Sequence, residues 1–290
     1  MTSIRRANQA ITTLNDEIFL LYEQRDTHYI INVYDRDNMR EAKEVILLPG
    51  TDPRDMTGCN VSNCVYVSLR QGDSYNRKVF RISKDVDHKY NLLPWRNDLR
   101  LPIFIMTVSA NGSLIFLALL SYRETSSHVV SVCNSDGTLQ HEVKLVPPAY
   151  IEWCSFLNLI QKSNRNVILS FVDNQDCQLK LLEFDMSGSV VRQFQSSYAL
   201  GRGSFVNLAG SNDRMMVASS LEVIELLDSE FNPLGVHSLS IGAQGLKQNE
   251  IRPFSFIDSH YDRNRNEIVR IHGDARTSTN VFTTFRFTEE

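Results

Sequence analysis

Five charged residues stand at near-regular intervals along this 290-residue chain: Arg54, Arg100, Glu152, Arg202 and Arg252, separated by 46, 52, 50 and 50 positions. Each falls just before a candidate innermost strand, as in DPRDMTG, DLRLPIF, YIEWCSF, LGRGSFV and EIRPFSF, and Arg6 in RRANQAI is a candidate for the same place near the N-terminus. A guanidinium is a planar fork that grips a carboxylate or a phosphate through two parallel hydrogen bonds. Several of them gathered at one mouth would draw an anionic partner in spite of the formal net charge of −4. The arginines also have acidic neighbours, Asp52, Asp55, Asp98, Glu152 and Glu250. Pairing with these would make a structural set of salt bridges instead.

Little else has the spacing of a catalytic or metal centre. The seven histidines are scattered and none belongs to an H-E-x-x-H pattern. Gly201-Arg202-Gly203-Ser204 lacks the order of a nucleophile elbow, because its serine follows a glycine directly. Asp262-Arg263-Asn264-Arg265-Asn266-Glu267 places oxygen atoms at alternate positions, as the start of a calcium loop does. The glycine of such a loop is missing and two arginines intervene, so a hairpin turn is the better reading. Five cysteines are an odd count at no metal-site spacing. Cys59 and Cys64 flank a turn and can face each other across a hairpin; without an export signal, free buried thiols are expected.

These residues must be positioned by strands. Runs rich in Val, Ile, Leu, Phe and Tyr alternate with Asn, Asp, Gly and Ser clusters, the signature of strands and turns. An Asn-containing turn followed at once by an apolar strand occurs six times; measured through Ile18, Val65, Leu114, Val167, Met216 and Ile268 the steps are 47, 49, 53, 49 and 52. A second turn, marked by Asp35, Asp85, Asp136, Asp185 and Asp228, recurs at steps of 50, 51, 49 and 43 and is followed by a more polar strand. The apolar stretch from Leu101 to Tyr122 is broken by Asn111-Gly112, a hairpin signal, and reads as two strands and no membrane helix.

Four antiparallel strands per roughly 50 residues, six times over, is the arithmetic of a β-propeller. The expected fold is all-β: one six-bladed β-propeller over 1–290, with four-stranded blades near 8–50, 51–97, 98–148, 149–198, 199–244 and 245–290. The last blade runs out after three strands, and the N-terminal segment 1–7, with Thr2 to Arg6 at its centre, is the natural closing strand. Thr13, Thr57, Thr107, Asn158, Asn207 and Asp258 are then candidates to face a central channel. With one acid among them they make a poor donor set for a catalytic metal.

The repeats resemble those of NHL-like six-bladed propellers. The phrase Asp55-Met56-Thr57-Gly58-Cys59-Asn60-Val61-Ser62-Asn63-Cys64-Val65-Tyr66-Val67-Ser68 is similar to the inner hairpin of such blades. The chain lacks the Gly-His and Trp-Asp pairs of WD40 blades and the double glycine of kelch blades. The resemblance implies a binding module before an enzyme, without a cofactor.

The reading is therefore a monomeric, cytoplasmic interaction or scaffold propeller without a membrane partner. It binds an acidic protein or peptide at a mouth lined by Arg54, Arg100, Arg202 and Arg252, with Glu152 in the fourth blade. The alternative is single-stranded RNA on the same face, with Trp95, Tyr150, Tyr198 and Phe254 as candidate stacking groups. A metal-dependent hydrolase of lactonase or esterase type in the channel ranks below both. The segment 241–251 is the largest irregular insertion and a candidate binding loop.

Overall fold

The computed structural model describes residues 10–24, 28–39, 41–49, 51–70, 77–95, 103–122, 125–146, 155–172, 178–199, 205–209, 212–218, 223–238, 254–262, 264–274 and 279–286. Every regular element among them is a β-strand, and the strands form six antiparallel sheets. No helix among the described residues is long and apolar enough to cross a membrane. The chain divides into two compact units, Met1–Val146 and Pro147–Glu290.

The first unit holds three sheets. They are β1 (Ala10–Leu14), β2 (Glu17–Gln24), β3 (His28–Asp35) and β4 (Glu44–Leu47); β5 (Thr51–Cys59), β6 (Cys64–Arg70), β7 (Arg77–Lys84) and β8 (Tyr90–Pro94); and β9 (Ile103–Val108), β10 (Leu114–Tyr122), β11 (Thr125–Cys133) and β12 (Leu139–Lys144). In each, neighbours in the chain are neighbours in the sheet. Strand β1 lies beside β5, and β5 beside β9.

The second unit holds β13 (Ser155–Gln161), β14 (Val167–Val172), β15 (Gln178–Phe184) and β16 (Val190–Ala199); β17 (Phe205–Ala209), β18 (Arg214–Ala218), β19 (Val223–Leu227) and β20 (Pro233–Ser238); and a three-stranded sheet of β21 (Phe254–Asp262), β22 (Glu267–Asp274) and β23 (Thr279–Arg286). Here β13 lies beside β17, and β17 beside β21.

The apolar second strands are explained by burial on both faces. Successive side chains of a strand point to opposite sides. Along β6, Val65, Val67 and Leu69 pack with Phe19, Leu21, Ile31 and Val33 of the first sheet. The alternate residues Cys64 and Tyr66 pack with Met106, Leu114, Phe116 and Ala118 of the third. Strand β18 repeats the device, with Met215 and Val217 against the fourth sheet and Met216 and Ala218 against the sixth. A strand with no solvent face has no reason to alternate polar and apolar residues. The outer strands do face water, and Leu47, Leu93 and Leu234 are more than half exposed.

The six inner hairpins each turn through one residue of positive φ just before the second strand: Asn15 (52°), Asn63 (47°), Gly112 (85°), Arg165 (71°), Asp213 (51°) and Asn266 (50°). Asn, Asp and Gly tolerate this region best. Position 112 admits glycine alone, because a Cβ there would also stand 2.8 Å from Val61 in the neighbouring turn. Four of the turns between third and fourth strands reuse one hydrogen-bond pattern. Asp85, Asn134, Asp185 and Asp228 each donate their amide to the carbonyl four residues on and accept an amide from three residues on. The turn of the third sheet is thus anchored by Asn134, and Asp136 sits two residues inside it, where its carboxylate accepts the Thr138 amide (2.8 Å). The Asp85, Asp185 and Asp228 carboxylates close their turns by accepting two amides each, and these donors and neighbouring side chains hold all three below the usual range.

Candidate functional site

The inner hairpins of a unit stand side by side. In the first, the Asn15 amide donates to Asn60 Oδ1 (3.1 Å) and Asn15 Nδ2 to Asn63 Oδ1 (2.8 Å). Cys59 Sγ lies 3.8 Å from the Gly112 carbonyl oxygen of the next sheet. In the second unit, the Ser163 amide donates to Asp213 Oδ2 (2.9 Å), and its hydroxyl makes a very short bond to the same oxygen. Lower on the inner strands, the Gly58 amide donates to Thr12 Oγ1 (2.9 Å), the Met106 amide to Asp55 Oδ2 (2.6 Å), and Asn158 Nδ2 to the Val206 carbonyl (2.6 Å). The strands therefore run in the same direction within a unit, with turns at one end and upstream ends at the other.

Register sorts the channel candidates into two levels. Thr13, Thr57, Thr107 and Asn207 share one level, opposite Ile18, Tyr66, Ile115 and Met216. Asn158 and Asp258 sit two residues further upstream, just after a β-bulge, opposite Ser170 and Ile271. Asp55 holds that same position after the bulge of β5, opposite Ser68. Sequence reasoning placed Asp55 only as a neighbour of the arginines. In the structure it accepts two backbone amides, Met56 (2.8 Å) and Met106 (2.6 Å), one of them in the next sheet. A bulge re-aims a side chain, and here it turns Asp55 and Asn158 toward the adjacent inner strand. The recurrence of Asp or Asn at this place, as Asp55, Asn158 and Asp258, was the available signal.

Of the arginine set, Arg54 lies within β5, and its side chain falls outside the described residues, as do Arg100, Glu152, Arg202 and Arg252. The segments 1–7 and 241–251 and residues Cys154, Cys177 and Tyr150 lie outside them too. Counted from the aligned positions Asp55, Ile105, Asn158, Phe205 and Asp258, the five charged residues stand 1, 5, 6, 3 and 6 residues upstream. Arg54 thus stands inside β5, and the other four precede their inner strands in the chain.

Several other buried charges among the described residues join sheets together. Glu17 receives Lys43 Nζ (2.6 Å) from its own sheet, and Lys84 Nζ (2.9 Å) and a short bond from the Tyr90 hydroxyl from the next. Burial pushes the Glu17 carboxyl up, but these hydrogen bonds outweigh it and hold the group below its ordinary value. Burial and the Glu17 bond push Tyr90 up. In the second unit Lys162 and Glu183, 3% and 0% exposed, pair at 3.2 Å. Glu183 also accepts Asn166 Nδ2 (2.6 Å) and Arg192 Nη1 (3.2 Å). Lys162 donates to the Ser229 carbonyl (2.7 Å) and lies 5.9 Å from the Phe231 ring centroid, both in the next sheet.

Trp95 belongs to this class. Its Nε1 donates to the Ser135 carbonyl of the third sheet (2.8 Å), and its ring meets Tyr66 edge-on at 5.6 Å. That geometry makes it a joint between sheets, with its indole donor committed. The Asp262–Glu267 segment is a hairpin: the two carboxylate residues pair across β21 and β22, and Asp262 Oδ1 accepts the Asn264 amide (3.1 Å). Among the described residues no group of three or more His, Cys, Asp and Glu side chains is placed to hold a metal ion.

No family model and no curated protein matches the chain. Among solved structures, a protein of unknown function from Bacteroides caccae aligns over 76% of this chain and 72% of its own, at 13% identity and a TM-score of 0.38. A chain from the structure of the COPII coat assembled on membranes aligns over 98% of this chain at 7% identity and a TM-score of 0.56. The present chain spans about half the length of that one, 47%. At such identity the likeness concerns the fold alone.

Proposed function

We propose that the six sheets are blades of one NHL-like six-bladed β-propeller, closed by the segment 1–7 beside β23. Its upstream face binds an acidic protein or peptide through Arg54, Arg100, Arg202 and Arg252, with Glu152 as the one acidic member. The observation that carries this reading is the side-by-side packing of inner hairpin turns, Asn15 on Asn60 and Ser163 on Asp213. Strands that share one end share the other, so the residues that precede them converge within each unit. The upstream arginines recur once per sheet in four of the six repeats, at the same end of the inner strands in the chain. A cluster of guanidinium forks recognises carboxylates bidentately, and rim charges of one sign speed encounter with a partner of the other.

Fluorescence anisotropy with a labelled oligoglutamate peptide and a labelled single-stranded oligoribonucleotide tests this. The wild type is compared with an Arg100→Glu/Arg202→Glu/Arg252→Glu variant of unchanged circular dichroism. Peptide binding lost in the variant supports the reading. RNA binding that falls steeply with salt, with no peptide binding, replaces the partner by nucleic acid. Equal binding by both proteins removes the arginine face from the account.

A further inference from the structure

Cys59 and Cys64 are directly opposed residues of β5 and β6, joined by a four-residue turn. Both are free and buried, at 1% and 0% exposure. Opposed residues of antiparallel strands hold their Cα atoms about 4.5–5.5 Å apart. That lies inside the roughly 4.4–6.8 Å window of a disulfide, so a bond between these sulfurs needs side-chain rotation and no backbone movement.

The two thiols are also unlike. The Cys64 thiol donates to Cys59, and the Ser62 amide donates to Cys59 Sγ at 3.4 Å. These bonds hold Cys59 down to about 6 against the burial that opposes them. The same bond to Cys59, and burial, push Cys64 up. One sulfur is thus supplied as the thiolate nucleophile while the other keeps its proton. The turn between them is at the surface, with Val61 67% exposed, and local opening of a surface turn is the route by which a small oxidant would reach the two sulfurs.

We propose that Cys59 and Cys64 are a modification site, a dithiol that a hydroperoxide converts to an intrasheet disulfide. The Cys59 thiolate attacks the terminal peroxide oxygen; the O–O bond breaks, and the leaving alkoxide takes a proton to become an alcohol. Cys59 is then a sulfenic acid. The Cys64 sulfur attacks the Cys59 sulfur, the S–O bond breaks, and hydroxide leaves with the Cys64 proton as water. Two thiols have lost two electrons and two protons, and the hydroperoxide has become an alcohol and a water. The new bond staples the hairpin and draws Cys59 away from the Gly112 carbonyl, so it trades a contact between sheets for a covalent link within one.

Both cysteines fall in one tryptic peptide, residues 55–70, which makes the test direct. Folded protein is treated with hydrogen peroxide, quenched with N-ethylmaleimide and digested. The expected peptide is two hydrogens lighter and carries no maleimide, while buried Cys133 is alkylated on unfolding. A Cys64→Ser variant is expected to give a dimedone-reactive sulfenic acid at Cys59, and a Cys59→Ser variant none at Cys64. Maleimide on both residues after peroxide overturns the proposal, and so does a bridge that forms only when oxidation is run in denaturant. Dimedone at Cys64 in place of Cys59 overturns the assigned order.

Discussion

Replacing Glu183 by glutamine leaves the Lys162 ammonium buried without its counter-ion. The lysine side chain is 3% exposed and its carboxylate partner 0%, so solvent cannot take over the lost interaction. What remains for Lys162 is the Ser229 carbonyl at 2.7 Å and the Phe231 ring. Removing one member of a buried pair costs about 3–5 kcal/mol. The Arg192 contact adds little, because that side chain is 31% exposed and screened. Glutamine keeps an oxygen for Asn166, which places the expected loss at the low end, about 3 kcal/mol. At about 2–4 °C per kcal/mol for a chain of this size class, the melting midpoint falls by roughly 6–12 °C. Thermal and urea unfolding followed by circular dichroism measure both quantities. Lys162→Met/Glu183→Met removes both charges and fills the space, so it is expected to cost less than Glu183→Gln alone. A loss below about 1 kcal/mol for Glu183→Gln, or strict additivity of the two single methionine variants, refutes the reasoning.

Three further perturbations follow from the joints between sheets. Gly58→Ala puts a Cβ 2.1 Å from the Thr13 carbonyl oxygen; backbone must move, and a loss of about 1–3 kcal/mol or more is expected in urea unfolding, whereas a neutral effect contradicts the packing of β1 on β5. Phe231 is buried at a φ of 70°, so Phe231→Gly, which relieves about 1 kcal/mol of left-handed strain, is expected to be more stable than Phe231→Ala, the reverse of the usual order. Glu17 titrates below its ordinary value in the fold, so its contribution is complete above the unfolded carboxylate value and is lost as pH falls through the lowered one. The stability difference between wild type and Glu17→Gln is expected to shrink as pH drops below about 4, and a difference that stays constant or grows there is inconsistent with that linkage.

The repeat was legible because burial on two faces and positive-φ turns both leave marks on residue type. Continuous apolar runs such as CVYVSL and VILSFV announced the second strands, and Asn or Gly ahead of them announced four of the six inner hairpins at the residue that carries the positive φ. The fourth hairpin departs: Arg165 takes the left-handed conformation while Asn164 caps the turn by accepting the Asn166 amide (3.0 Å). In the outer turn of the third sheet the backbone of Asn134 takes the anchoring place while the Asp136 carboxylate accepts the Thr138 amide, and sequence spacing does not divide those two tasks. The joints between sheets were not legible. Asp55 accepting the Met106 amide, Lys162 reaching Ser229 and Trp95 reaching Ser135 join residues 40 to 67 positions apart. Nothing local in the chain marks such a pairing, because its partner is a backbone group that every residue carries.

The most direct test of the arginine face is a charge swap. Wild type and the Arg100→Glu/Arg202→Glu/Arg252→Glu variant are each titrated with labelled oligoglutamate and oligolysine peptides at low and at physiological salt. Preference for oligoglutamate by the wild type and for oligolysine by the variant is the predicted result. A variant that still binds oligoglutamate and ignores oligolysine contradicts the account.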